Sequence, residues 1–543
     1  MKLSLSKKAN VNYVCTAFQF KEYMRHPHGN ADKLEIVTYQ GCPVIVQKGL
    51  YKDGEWLVLF PTETHISKSF LSEHNAFRHT ELNKDPQAAA GFFEDNCRVK
   101  AISLRGVISR GYIVPISHLN LTPSDVVDGL NFDTVNGKLL VKKYIIPVQV
   151  PRSETGRMRQ SRKKSELARI VEGQFEFHYD TEMLAKNLDL LNPDDVITLT
   201  HKWHGTSLIS GRLLCNRRLS LFERLKRLFG KSVQMTEYRL ITSSRKRILT
   251  LQDKTENERN FENSSVSDKL YLDASKVLEP YIADGMTVYS EIVGYLPSGK
   301  DIQKGYDYKC ERGQFKVMPY RITKFDSDGS GRWSEFTSQE VNDYAVAASM
   351  AEMSDMNIAT SAATDEKAVA SVSDTNVATN AATDEKAVAS VSDTNVTTSA
   401  AANKEAVAST DDTNIATKAT AGTKANTKDA KTSDTTAKTA EAAGKKARIV
   451  PTIIAYKGTA KNLYSDLQTE DIQQWRNEFL ARLSNDKKFY MNEDSPDCNN
   501  SVPHEGLVMR FENRPTKRAL KIKCDKFYEY ESKMLDTQNE TLE

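Results

Sequence analysis

Val196-Ile197-Thr198-Leu199-Thr200-His201-Lys202-Trp203-His204-Gly205-Thr206-Ser207 is the stretch on which the reading of this chain turns. Residues 196–200 alternate branched apolar side chains with threonine, the pattern of a half-buried strand. Lys202 therefore stands at a strand end. Gly205 follows three residues later, with no side chain to keep another group from the backbone. On its own such a lysine is most simply a solvated one.

Its company downstream changes the reading. In chain order come Ser243-Ser244-Arg245, Ser290-Glu291-Ile292-Val293-Gly294 and Val317-Met318-Pro319-Tyr320-Arg321-Ile322. Glu505-Gly506-Leu507-Val508-Met509-Arg510 and Leu520-Lys521-Ile522-Lys523 follow after a long interruption. Singly, Glu505-Gly506 is a turn into a buried strand, Lys521 and Lys523 mark a half-exposed strand, and Tyr320 is core. As an ordered set they resemble the covalent nucleotidyltransferases, the polynucleotide ligases and mRNA-capping enzymes. Those carry Lys-x-x-Gly, a Glu strand, an aromatic strand, Glu-Gly-x-Val and Lys-x-Lys in this order. Histidine at position 204, followed by Gly-Thr-Ser, is closer to ATP-dependent RNA ligases than to DNA ligases.

The resemblance implies ATP and Mg²⁺ or Mn²⁺ as cofactors, with Lys202 as the nucleophile that takes AMP from ATP. A lysine amine with its ordinary pKa of ~10.4 is a poor nucleophile at neutral pH. Lys521, Lys523 and a bound metal are expected to favour its neutral form by like-charge repulsion. The cofactor-binding set is His204, Gly205, Glu291, Tyr320, Lys521 and Lys523. Glu291 is expected to accept from ribose hydroxyls, Tyr320 to cover the adenine, and the two lysines to neutralise the α-phosphate. Glu505 is the metal candidate, and Arg245 the residue facing nucleic acid. The implied partner is RNA with 3′-hydroxyl and 5′-phosphate ends, sealed through an adenylated 5′-end. Three positions depart from the pattern or stand outside it. His201 precedes the lysine where RNA ligases commonly carry an acid, Ser290 stands where glycine is usual, and His504 beside Glu505 receives no role.

Before about residue 148 the chain reads as short strands: Leu34–Tyr39, Pro43–Gln47, Glu55–Phe60, Arg98–Leu104 and Gly111–Pro115, with a turn at Lys52-Asp-Gly54. Five strands in this length suggest a small closed barrel of OB type. The run Val99–Gly111 resembles the N-terminal OB domain of one RNA-ligase branch. Arg105 and Arg110 are its candidate phosphate contacts, with solvated surface arginines the equal alternative.

The expected organisation is α+β: an OB-like domain over 1–148, a basic linker over 149–174, and a nucleotidyltransferase domain of antiparallel sheets flanked by helices. That domain is expected over 175–344 and 448–535, interrupted by an insert over 345–447, with a tail over 536–543. Within it Asp180 is placed to cap a helix bearing Leu184, Leu188 and Leu191 on one face. Arg217 to Lys231 is a basic stretch with Phe222, Leu225, Leu228 and Phe229 at helical spacing, its apolar face read as packing. Ile472, Trp475, Phe479, Leu480 and Leu483 mark a further amphipathic helix. Asp326–Gly331 reads as a hairpin turn rather than a calcium loop. The insert holds no Phe, Trp, Tyr or Leu, and near-copies begin at Asp355, Asp374, Asp393 and Asp412, at a period of 19. With only scattered Val and Ile it offers no core face to a solenoid and reads as a disordered loop.

A net charge of +3 over 543 residues excludes a global nucleic-acid signature, so any binding must be local. The seven cysteines form no Cys-x-x-Cys pair, which argues against a zinc site, and their odd number and scatter fit a reducing compartment. No run approaches membrane-spanning length, so a soluble intracellular monomer is expected. Three readings stay open: an RNA ligase, a capping guanylyltransferase or DNA ligase, and an inactive OB-containing RNA-binding protein.

Overall fold

The computed structural model describes residues 3–145, 169–251, 266–325, 333–354, 447–514 and 518–537. Two compact units divide the chain, one of Met1–Glu352 with Ala447–Glu543 and one of Met353–Lys446. Every described strand belongs to the first. The basic linker (all but its residues from Arg169 on), the Asp326–Gly331 turn and the 19-residue repeats lie outside the described residues.

Two sheets carry the centre of this unit. The five-stranded sheet has the order Glu182–Met183, Ala519–Lys523, Gly506–Phe511, Val196–His201, Ile454–Thr459. The six-stranded sheet runs Arg247–Leu251, Thr236–Ser244, Thr206–Asn216, Met286–Gly294, Phe315–Phe325, Trp333–Glu335. All pairings are antiparallel except that of Glu182–Met183 with Ala519–Lys523. The Val196–His201 strand is central to its sheet, which is why Ile197 through His201 are all buried rather than alternating. The Ile472–Leu483 helix buries Trp475, Phe479, Leu480 and Leu483 against this sheet's core, as its periodicity requires. The Val266–Leu278 helix does the same for the six-stranded sheet through Leu270, Ala274 and Leu278.

Residues 3–145 form several small antiparallel sheets. One orders Gly111–Pro115, Trp56–Pro61, Cys15–Gln19 and Leu130–Phe132; another orders Arg25–Pro27, Leu34–Tyr39 and Cys42–Gln47. Phe60, Phe77, Phe93 and Phe132 fill their main core. Among the described residues these sheets do not close into a barrel, so the expectation of a closed one is corrected. The strand expected over Arg98–Leu104 is also shorter, Ile102–Leu104. The reason is Arg98, whose buried guanidinium pairs with Glu63 at 2.7 Å and with Asp536 of the C-terminal helix at 2.9 Å. Residues 98–101 thereby dock that helix instead of extending a ladder. Arg110 does likewise: its Nε lies 2.5 Å from Asp525 and its guanidinium 4.8 Å from the Tyr528 ring. It is a docking residue and not a phosphate contact.

Three further expectations are corrected. Leu184, Leu188 and Leu191 are buried, but in two 3-10 turns, Leu184–Lys186 and Leu188–Leu190, rather than an α-helix. Asn187 separates the turns, donating from its amide to the Met183 carbonyl at 2.9 Å. The insert begins later than 345, because residues 338–352 are helical and bury Val341, Ala345 and Ala348. Glu352 then accepts from the backbone N–H of Arg448 at 2.9 Å and of Ile449 at 3.1 Å, fastening the two ends of the interruption together. The Leu221–Leu228 helix forms behind a Ser220/Glu223 capping box. Its apolar face, however, is not packed: Phe222 is 66 % exposed and Leu228 80 %. All seven cysteines are free. Among the described residues no helix is long and apolar enough to cross a membrane.

Candidate active site

One pocket lies where the two sheets meet, and nine of the residues singled out from the sequence line it: Lys202, His204, Gly205, Arg245, Glu291, Tyr320, Glu505, Lys521 and Lys523. Register explains how residues three hundred positions apart converge. His201 pairs with Leu507 and Gly506 with Lys523, while the Lys202 N–H donates to the Gly506 carbonyl at 2.9 Å. Lys202, Glu505 and Lys523 are thus neighbours at the adjoining ends of three adjacent strands. On the other sheet Ser207 faces Glu291, and Glu291 faces Met318.

Two glycines let the backbone take this course. A Cβ on Gly205 would stand 2.3 Å from the Ile292 carbonyl oxygen, so its need is a close approach between strands. Gly506 has φ +136°, and a Cβ there would stand 2.0 Å from the Ile522 carbonyl oxygen. Larger residues fit neither position.

Lys202 Nζ lies 2.8 Å from Glu505 Oε1. The Glu505 carboxylate is only 4 % exposed, its Oε2 accepts no hydrogen bond among the described residues, and His204 Nδ1 stands 4.0 Å from that oxygen. A buried, acceptor-only oxygen without a donor is costly unless a cation completes it. A hard carboxylate facing an anion-ready pocket fits Mg²⁺ or Mn²⁺. The His204 ring is held edge-on between Tyr306 and Phe527, each 5.0 Å away. Glu291 Oε1 accepts from the Gly205 N–H at 3.0 Å, and Ser207 Oγ donates to its Oε2 at 3.4 Å.

The surroundings shift two of the three lysines up and one down. Burial pushes Lys202 down, but Glu505 and then Glu291 outweigh it, and its pKa lies above the ordinary lysine value. The expectation that neighbouring cations leave it neutral is therefore corrected for this arrangement: the carboxylates win over Lys523. Lys523 is also pulled down by burial and raised well above normal by Glu531 and Glu505; both Glu531 oxygens accept from it, at 2.7 and 2.9 Å. For Lys521 the same two carboxylates are outweighed. Burial, then Lys523 and Lys202, push it down to about 7.

Tyr320 sits at the pocket wall with the His178 ring edge-on at 5.5 Å. Burial, then Arg245 and Arg321, push His178 down to about 3, so it is neutral across the physiological range. His178 was missed from sequence, although its aromatic setting, Phe175-Glu-Phe177-His178-Tyr179, was there to see. Glu531, one helix beyond Lys523, had no sequence signal. Arg245 reaches the pocket but is paired with Asp180, so its guanidinium is held by a carboxylate before any phosphate arrives.

No protein-family model and no curated protein matches the chain. Among solved structures it is similar to the RNA ligase of Naegleria gruberi. A lysine-to-alanine variant with ATP and manganese is 12 % identical, covers 96 % of this chain and 99 % of its own, and has a TM-score of 0.41. An apo lysine-to-alanine variant is 13 % identical over 95 % and 98 %, with a TM-score of 0.42. An arginine-to-alanine variant with ATP and manganese gives 12 %, 95 %, 98 % and 0.41 in the same order.

Proposed function

We propose that this chain is an ATP-dependent RNA ligase that seals 3′-hydroxyl and 5′-phosphate ends, acting as a monomer. The observation that carries the reading is the Lys202–Glu505 pair at 2.8 Å in a pocket that also holds Lys521, Lys523 and Glu291. An amine, a carboxylate with an uncommitted oxygen and two more cations are what nucleotidyl transfer to lysine needs.

In the resting arrangement Lys202 is held as an ammonium by Glu505 and Glu291. A Mg²⁺ or Mn²⁺ held by Glu505 would supply charge neutralisation to the carboxylate and the phosphates. Lys202 then gives its proton to solvent, and its Nζ lone pair attacks the α-phosphorus of ATP. The bond to pyrophosphate breaks and AMP stays on Nζ as a phosphoramidate. Lys521 and Lys523 stand where charge develops on the α-phosphate. Glu291, held by the Gly205 N–H, takes the ribose hydroxyls, Tyr320 covers the adenine, and His204 stands beside the Glu505 carboxylate, 4.0 Å from its Oε2. AMP next passes to an RNA 5′-phosphate, and the 3′-hydroxyl attacks that phosphorus as AMP leaves. Arg245 exchanges Asp180 for the RNA backbone in these steps. The N-terminal region, whose run Val99–Gly111 resembles the OB domain of one ligase branch, serves as a further RNA-facing platform.

Intact mass of the protein incubated with Mg²⁺ and either ATP or GTP tests the first step. A gain of one AMP, reversed by pyrophosphate, is expected, followed by sealing of a nick with a ribose 3′-end. Labelling by GTP alone would make it a capping enzyme; sealing only deoxyribose ends, a DNA ligase. Uptake of neither nucleotide would overturn the reading.

A further inference from the structure

The residues on either side of the nucleophile point to a second site. His201 and Trp203 flank Lys202, and both reach one carboxylate: His201 Nδ1 is 3.0 Å from Asp497 Oδ2, and Trp203 Nε1 donates to the same oxygen at 2.8 Å. His504 stands immediately before Glu505, its ring centroid 4.8 Å from that of His201. It is 1 % exposed, and neither of its ring nitrogens has a hydrogen-bond partner among the described residues. A buried imidazole left wholly unsatisfied is costly, so this ring is built for a ligand that the protein's own donors and acceptors do not replace.

One ligand atom from each of His201, Asp497 and His504 lies within 4.8 Å of the other two. Two ligands of a tetrahedral ion at bonds of about 2.0–2.1 Å stand about 3.3 Å apart. The His201–Asp497 spacing already approaches that, and the wider spacing leaves His504 to close by about 1.5 Å as an ion enters. Two imidazoles and one carboxylate suit a borderline ion such as Zn²⁺, whereas Mg²⁺ seeks oxygen donors. The Trp203 N–H would then act as the outer hydrogen bond that orients a ligating carboxylate. Neither Asp497 nor His504 lines the pocket that holds Lys202 and Glu505.

We propose that His201, Asp497 and His504 form a site for one Zn²⁺-type divalent ion, separate from the catalytic cation on Glu505. The ion ties residues 201–203 to the 497–504 segment. It thereby sets the backbones that present Lys202 and Glu505 to the pocket. The proposal stands on these three side chains and does not depend on the ligase reading.

The test uses the full chain, stripped with chelator and then titrated with Co²⁺ in excess Mg²⁺. Bound metal is counted after gel filtration, and the Co²⁺ visible absorption reports nitrogen ligation. One retained equivalent is expected in the wild type and in Glu505→Gln, with affinity falling tenfold or more in His504→Asn and Asp497→Asn. No retained ion in the wild type overturns the proposal, whether or not the variants fold. So does an equivalent lost in Glu505→Gln and kept in His504→Asn, which would place the ion in the catalytic pocket alone.

Discussion

The pocket wall and the Arg217–Lys231 segment invert each other. At the pocket, no single residue was persuasive in the sequence: a lysine at a strand end, a Glu-Gly step, two alternating lysines. Strand register nonetheless brings them to one pocket, with Lys202 and Glu505 within hydrogen-bond reach. In the Arg217–Lys231 segment the local pattern was strong, with a capping box and apolar residues at helical spacing, and the helix forms as read. Its apolar face then meets solvent, with Phe222, Leu225, Leu228 and Phe229 all more than half exposed. Local pattern fixes the element and its face. What covers that face, or what a side chain meets, is decided by partners far away in sequence.

If the pocket works as a unit, its largest response comes from its nucleophile. Lys202→Ala is expected to abolish covalent AMP uptake completely while thermal unfolding stays cooperative. Any AMP retained on that variant, measured by intact mass, would break the assignment and move the chemistry to another lysine.

The second effect is smaller and concerns Lys521. With its pKa at about 7, it is an ammonium below neutrality and an amine above. An ATP phosphate recruits the charged form, so binding above pH 7 must take up a proton. One such group weakens affinity by up to about tenfold between pH 6 and pH 8. Lys521→Arg carries a fixed charge and is expected to flatten that slope. The titration of ATP itself is common to both proteins. Calorimetry with a non-cleavable ATP analogue reads the difference, and parallel slopes would show that Lys521 does not meet the phosphates.

The same contrast decides how much was legible from sequence. The ordered motifs placed all nine site residues in one pocket because chain order survives even a hundred-residue interruption. Strand identity was legible where a strand is central, as at Val196–His201. It failed at Arg98–Ala101, where a buried guanidinium pairs across to the C-terminal helix. Arg110 was misread for the same reason, since its partner Asp525 lies more than four hundred residues away. The insert boundary was missed because Ala345 and Ala348 look low-complexity by composition but are small residues packed in a helix. The charge state of Lys202 was misjudged because counting nearby cations omitted Glu505, whose position depends on register. Asp497 carried no motif at all.

The smallest expected effect tests the other half of the comparison. Phe222 is 66 % exposed, with the Lys226 ammonium 4.7 Å above its ring. Phe222→Ser is therefore expected to change unfolding free energy by no more than about 0.5 kcal/mol and to leave AMP uptake unchanged. Phe479, fully buried on the Ile472–Leu483 helix, sets the contrast: Phe479→Ala is expected to cost about 3–5 kcal/mol. Both residues sit on apolar helical faces that the sequence cannot tell apart, so chemical denaturation of the two variants isolates burial from pattern. A cost near ~3 kcal/mol at Phe222, the size of a core truncation, would mean that its face is covered in solution, and the distinction between the two helices would fall.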